Sequence, residues 1–120
     1  MIVFNTTPHS ITFRTPGGRD IILESCGILN AAVVEEVVKT ADCDVELVKT
    51  SFKETDDAEQ FIEKLEAIGR KDHIGTAIIG SMIAAQAYPG RVYAMCPFSD
   101  EYLRVPPAEK RMSLTKFTVF

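Results

Sequence analysis

A chain of 120 residues, 46% hydrophobic and 25% charged, has the balance of one globular domain spanning residues 1–120. It is too short for two ordinary domains and too apolar for wholesale disorder. The formal net charge of −4 and a pI near 5.1 disfavour a long nucleic acid gripped by its phosphates, while leaving room for a local basic pocket that takes a small anion.

Three cysteines (Cys26, Cys43, Cys96) lack CxxC spacing, and only His9 and His73 accompany them. Reduced, mostly buried thiols are therefore expected in place of a disulfide framework or a zinc site, and neither a metal nor another cofactor is expected. No stretch approaches the ~20 apolar residues of a membrane span. Met1-Ile2-Val3-Phe4 lacks the basic region of a signal peptide, so no membrane partner and a reducing cytoplasm are expected.

In chain order, β-branched and aromatic residues bracket Asn5-Thr6-Thr7-Pro8. Proline cannot donate to a central ladder, so the spacing predicts strand, kink, strand, with the first strand at an edge or the break facing solvent. Thr15-Pro16-Gly17-Gly18 is a tight-turn signal between two alternating runs and predicts a β-hairpin. Residues 31–54 are ambiguous. Val33, Val34, Val37 and Val38 have helix-like spacing, yet valines favour strands and residues 45–52 alternate with period two. Two strands joined by a turn at Asp42, Cys43 and Asp44 are favoured, and a short helix for the first half is the alternative.

Thr55 or Asp56 opens the clearest helix. Phe61, Ile62, Leu65 and Ile68 form its apolar stripe, and Asp56, Asp57 and Glu59 lie where the N-terminal dipole favours acids. Gly69-Arg70-Lys71 ends it, and its charged face reads as solvated surface. Residues 75–98 then form a strand-helix-strand unit: an apolar strand at residues 76–79, a Gly80-Ser81 turn, an apolar helix over residues 82–88, a Pro89-Gly90 stop and a second strand. Near-continuous apolar strands suit a parallel pair covered on both faces. The fold class expected is α+β or α/β: a small mixed sheet with an N-terminal hairpin, one amphipathic helix and one buried apolar helix.

Pro97, Pro106 and Pro107 make most of the remainder a structured loop, with residues 116–120 able to add a last short strand. This loop carries Arg104, Lys110, Arg111 and Lys116 beside Phe98 and Tyr102. Cations interleaved with aromatics suit a nucleotide, charge for its phosphate and a flat face for its base. The alternative is a packed C-terminal arm with solvated cations. No catalytic signature is present: GTAIIGS lacks the lysine of a phosphate-binding loop, and Ser81 is not in a GxSxG setting. Ser81 is expected to start the helix as a cap, and His9 to serve as a hydrogen-bonding structural residue.

Two segments carry a resemblance. One is Phe4-Asn5-Thr6-Thr7-Pro8-His9 with Ile11. The other is the run from Ile78 through Gly80-Ser81 and Tyr88-Pro89-Gly90-Arg91 to Val92, followed by Arg104-Val105-Pro106-Pro107 and Lys110-Arg111-Met112. Together they cover roughly half the chain, and residues 31–71 contribute no motif. The pattern resembles the first family of Thoeris anti-defence sponges, phage proteins that sequester the cyclic nucleotide signals of bacterial immunity. The resemblance implies a non-enzymatic protein of the host cytoplasm, assembled as dimers that combine into a hexamer. It would bind cyclic ADP-ribose isomers, and in some members cyclic di- or trinucleotides at separate sites, without cleaving them. That task needs arginines for pyrophosphate, an aromatic or thioether side chain against adenine, and enclosure from water. On this chain Arg91, Arg104 and Arg111 are the phosphate candidates and Phe98 or Tyr102 the stacking candidates. Met82 and Gln86 would supply an apolar wall and a polar contact, while Thr7, His9 and Lys110 would line a second site beside Arg111. For each arginine the alternative is a surface or inter-protomer salt bridge. The competing functional reading is a small oligomeric phage protein without a small-molecule ligand, the helix over residues 82–88 making its subunit contact.

Overall fold

The computed structural model describes residues 2–41, 45–71, 73 and 75–120. The chain runs β1 (Ile2–Asn5), β2 (Ile11–Arg14), β3 (Asp20–Leu23), β4 (Ala32–Ala41), β5 (Val45–Lys53), α1 (Asp56–Lys71), β6 (Thr76–Ile79), α2 (Met82–Ala87), β7 (Val92–Pro97) and β8 (Met112–Thr118). It is a mixed α+β fold of two helices and a largely stranded remainder. Six strands form one sheet in the order β1-β6-β7-β8-β2-β3, and β4 and β5 form a separate two-stranded sheet.

The expected hairpin is β2–β3, antiparallel from Ile11 opposite Leu23 to Arg14 opposite Asp20. Its turn is closed by the Gly18 amide donating to the Thr15 carbonyl at 2.9 Å, with Gly18 at φ +86°, a conformation glycine adopts at little steric cost. Within the ambiguous stretch the described residues form two antiparallel strands, β4 and β5, and not a helix; the expected turn at Asp42, Cys43 and Asp44 lies outside the described residues. Helix α1 begins where its acids predict. The Thr55 hydroxyl accepts from the Ala58 amide at 3.3 Å, and Ala58, Ile62 and Leu65 are buried. The last strand is longer and earlier than residues 116–120: β8 starts at Met112 and inserts between β7 and β2.

The central unit folds as expected, with β6 and β7 parallel. Gly80 is needed at its turn, because a Cβ there would lie 2.8 Å from Val92 Cγ1. Ser81 caps α2, its Oγ accepting from the Ala84 amide at 3.1 Å. Of this helix, Ala84, Ala85 and Ala87 are buried, while Met82 and Ile83 are exposed. Burial of α2 is therefore confined to its alanine side. At its end, the Tyr88 hydroxyl accepts from the Thr55 amide at 2.8 Å, tying the exit of α2 to the entrance of α1.

The sheet has two apolar sides. On one, Phe4, Ile78, Val92 and Ala94 pack with α1, α2 and Leu29. On the other, Ile79 joins Ile11 and Phe13, with Val3, Leu23, Met95 and Met112 against them. Residues from both ends of the strand order meet in this second cluster, so the sheet curls over on itself. The curl is fastened where Ser25, just after β3, bridges Asn5 of β1, with the Cys26 amide donating to the Asn5 carbonyl at 2.8 Å. Strand β6 is thus covered on both faces, by helices on one side and by the sheet's own far half on the other.

Candidate functional site

The parallel strands β1, β6 and β7 end at the same rim of the curled sheet, where β2 and β8 begin. The segment after β1 is held there by a buried side chain. Asn5, fully buried, donates through Nδ2 to the carbonyls of His9 at 2.8 Å and Leu23 at 3.0 Å. Its Oδ1 accepts from the Thr7 amide at 3.0 Å and lies 2.6 Å from the Thr7 hydroxyl. Thr6 donates to the Ile79 carbonyl at 2.7 Å. The Asn-Thr-Thr-Pro-His run is therefore a brace, satisfying buried polar groups at the joint of β1, β3 and β6.

The opposite wall comes from the connection between β7 and β8, with short 3₁₀ turns at Asp100–Tyr102 and Pro107–Glu109. Arg111 shapes it: Nη1 donates to the Lys110 carbonyl at 3.1 Å and the Ala108 carbonyl at 3.3 Å, and Nε donates to Asp20 Oδ2 at 3.0 Å. Asp20 also accepts from Arg14 at 2.9 Å. The Arg14 guanidinium donates to the Tyr102 hydroxyl and lies 5.5 Å from the centre of that ring. Phe98 meets Tyr102 edge-on, centroids 6.5 Å apart. The hydrogen bond from Arg14, reinforced by Arg111, holds the Asp20 carboxyl below its ordinary range, and the same bond raises the Arg14 guanidinium. Phe98, Tyr102 and Arg111 are thus brought together, but as a clasp fixing the loop to the β2–β3 hairpin.

Between brace and loop lies a cleft of about 460 Å³, with Thr7, His9, Ser10, Ser81, Met95 and Lys110 among its lining residues. Ile11, Met95 and Pro107 give it an apolar floor, and Ser10, Thr12, Ser81, His9 and Lys110 bring polar groups to it. Its size and mixture suit a small molecule with one flat apolar part and one anionic part. The three residues expected at a second site, Thr7, His9 and Lys110, all line this cleft. Sequence reasoning favoured a helix-cap role for Ser81 and did not single out Ser10, Thr12 or Met95. Ser10 and Thr12 flank Ile11 beside the motif and were legible as neighbours, whereas Met95 enters only because the sheet curls.

The remaining candidates are dispersed. Arg104 is exposed and makes no hydrogen bond or ion pair among the described residues. Gln86 lines a separate shallow hollow with Phe52 and Pro89. Arg91 stands at the start of β7, the opposite end of the strand from Arg104 and Arg111, where its guanidinium pairs with both Glu59 and Glu66 of α1. These two carboxylates raise its affinity for the proton further and neutralise it. A larger concavity of about 690 Å³ beside it takes in Glu66, Arg70, His73 and Tyr93, but this hollow is open and holds an acid already engaged with the arginine. Among the described residues no three His, Cys, Asp or Glu side chains converge as metal ligands would, and no described helix is long and apolar enough to cross a membrane.

No family model, curated protein or solved structure matches this chain.

Proposed function

We propose that this protein is a phage anti-defence sponge, which takes up a cyclic nucleotide immune signal in the host cytoplasm and holds it without cleaving it. The ligand is a cyclic ADP-ribose isomer or a cyclic oligonucleotide, and the binding site is the cleft between the Asn5 brace and the loop at residues 107–110. The observation that supports this most is the meeting of Thr7, His9 and Lys110 in one cleft, from segments a hundred residues apart. Lys110 supplies charge for phosphate, and the hydroxyls of Ser10, Thr12 and Ser81 supply neutral donors. Met95, Ile11 and Pro107 supply the apolar face against a base. Thr7 acts from behind, its hydroxyl already engaged by Asn5 and the His9 carbonyl.

Melting the protein with cyclic ADP-ribose isomers and cyclic dinucleotides tests the reading. A ligand at a hundredfold over its dissociation constant adds roughly 2.7 kcal/mol, and Lys110→Ala should weaken that ligand about tenfold or more, the usual worth of a charged hydrogen bond. Heat should release the nucleotide intact. A flat screen, or recovery of a linear product, would sink the proposal. A flat screen would favour the second reading, a self-associating phage protein without a ligand, which the exposure of Met82 and Ile83 on α2 supports.

A further inference from the structure

The connection between β7 and β8 reaches the cleft only with its far end, Pro107, Ala108 and Lys110, and Lys110 is the one lysine or arginine in the lining. No residue from Phe98 to Arg111 is buried, so hydrogen bonds rather than a core fix where this connection lies. Most of those bonds stay within it. The Tyr102 amide donates to the Ser99 carbonyl, Leu103 to Asp100, Glu109 to Pro106 and Lys110 to Pro107, while the Phe98 amide closes the base on the Arg111 carbonyl at 2.9 Å. Among the described residues, two side-chain hydrogen bonds tie the connection to the rest of the molecule: Arg14 to the Tyr102 hydroxyl and Arg111 to Asp20. Both lead to Arg14 and Asp20, which face each other across the hairpin ladder. Arg111 carries the tie onward. While its Nε holds Asp20, its Nη1 holds the carbonyls of Ala108 and Lys110, the very residues that form the cleft wall. Neither Asp20 nor Arg111 lines the cleft.

We infer that Asp20 is a positioning residue for the cleft: through Arg111 it sets where the backbone at residues 108–110 lies, and so how well Lys110 meets the anionic part of a ligand. The physical reason is that one carboxylate stands between two guanidiniums that never lose their charge. With Asp20 neutral, Arg14 and Arg111 repel each other across the gap, and the fork of Arg111 no longer has a fixed point from which to hold the two carbonyls. Lys110 would then still be near the cleft but would no longer be held there. The Asp20 side chain is 36% exposed, and solvent screens such pairs, so the loss in affinity is about threefold. Removing the Lys110 charge itself costs about tenfold. The inference rests on the cleft being the nucleotide site proposed above, but its geometric half, that Asp20 places residues 108–110, does not.

A double-mutant cycle on the intact chain tests the affinity half, with whichever cyclic nucleotide raises the melting temperature of the wild type as the probe. Asp20→Asn should weaken that nucleotide about threefold in the wild type and not at all in a Lys110→Ala background, because the two residues act along one route. Arg111→Lys should behave as Asp20→Asn does, since an ammonium keeps the charge but cannot hold a carboxylate and two carbonyls together. Equal weakening by Asp20→Asn in both backgrounds would overturn the inference, and so would full affinity in Arg111→Lys. Amide exchange without any ligand tests the geometric half. In Asp20→Asn the Glu109 and Lys110 amides should exchange faster, while the Gly18 amide of the hairpin turn, bonded to Thr15, should not. Faster exchange at Gly18 with Glu109 and Lys110 unchanged would mean that Asp20 serves only its own hairpin, and would overturn the inference. If no nucleotide binds the wild type, the proposed function fails and the exchange result alone decides whether Asp20 places the wall. Should Asp20→Asn not fold, Arg111→Lys carries both measurements.

Discussion

Arg91 and Asn5 show how far a residue's setting redirects its role. As a cation after a Pro-Gly stop, Arg91 qualified for phosphate, but α1 presents Glu59 and Glu66 on the face it meets. Glu59 Oε2 is buried without a hydrogen-bond partner among the described residues, so losing the arginine would leave carboxylate charge poorly compensated at the α1–β7 joint. About one third of these side chains remains exposed, which screens the pairs. Arg91→Ala should therefore cost about 1–2 kcal/mol. That lowers the melting temperature by roughly 4–8 °C for a domain of this size, with nucleotide affinity unchanged; a loss of affinity without a loss of stability would return Arg91 to the ligand. Asn5 was legible only as part of a motif. That its amide carries four contacts at a sheet joint followed from where β3 returns, which no local pattern encodes.

At the scale of elements, the hairpin, the long helix and the strand-helix-strand unit were legible because each rests on short-range rules. Glycine and proline fix the turns, acids mark a helix start, and apolar spacing chooses between helix and strand. The tail was less so. Its strand begins at Met112 because Phe13 and Pro97 offer ladders on its two sides, a demand made by distant strands. Its loop is pinned by the Arg14–Asp20–Arg111 clasp, which has a pH signature. Asp20 is held below its ordinary value of 3.8, chiefly by the hydrogen bond from Arg14. A carboxyl with a lowered folded pKa stabilises above its unfolded pKa and loses that contribution as pH falls through the folded one. The clasp should thus be intact at neutral pH and should open below the ordinary aspartate range. Pepsin cleavage within residues 98–111 should rise steeply there, and Asp20→Asn should give faster amide exchange of that loop already at neutral pH. If exchange of the loop is the same in Asp20→Asn and wild type, the clasp does not hold it.

For the whole molecule, the curl of the six-stranded sheet makes the cleft and leaves the β4–β5 ribbon outside. If the chain self-associates through the exposed Met82 and Ile83 of α2, folding and association are linked, and the melting temperature should rise with protein concentration. A melting temperature constant over a hundredfold range of concentration would contradict that linkage. The sequence by itself determined the kinds and order of most elements and the parallel central pair, because these follow from composition and near-neighbour spacing. Only the tertiary structure decided that Arg91 faces two glutamates, that Arg111 braces the loop, and that Thr7, His9, Met95 and Lys110 meet in one cleft. Each of those depends on which distant strands lie side by side, and strand order in a curled sheet is set by long-range packing to which no local window of residues gives access.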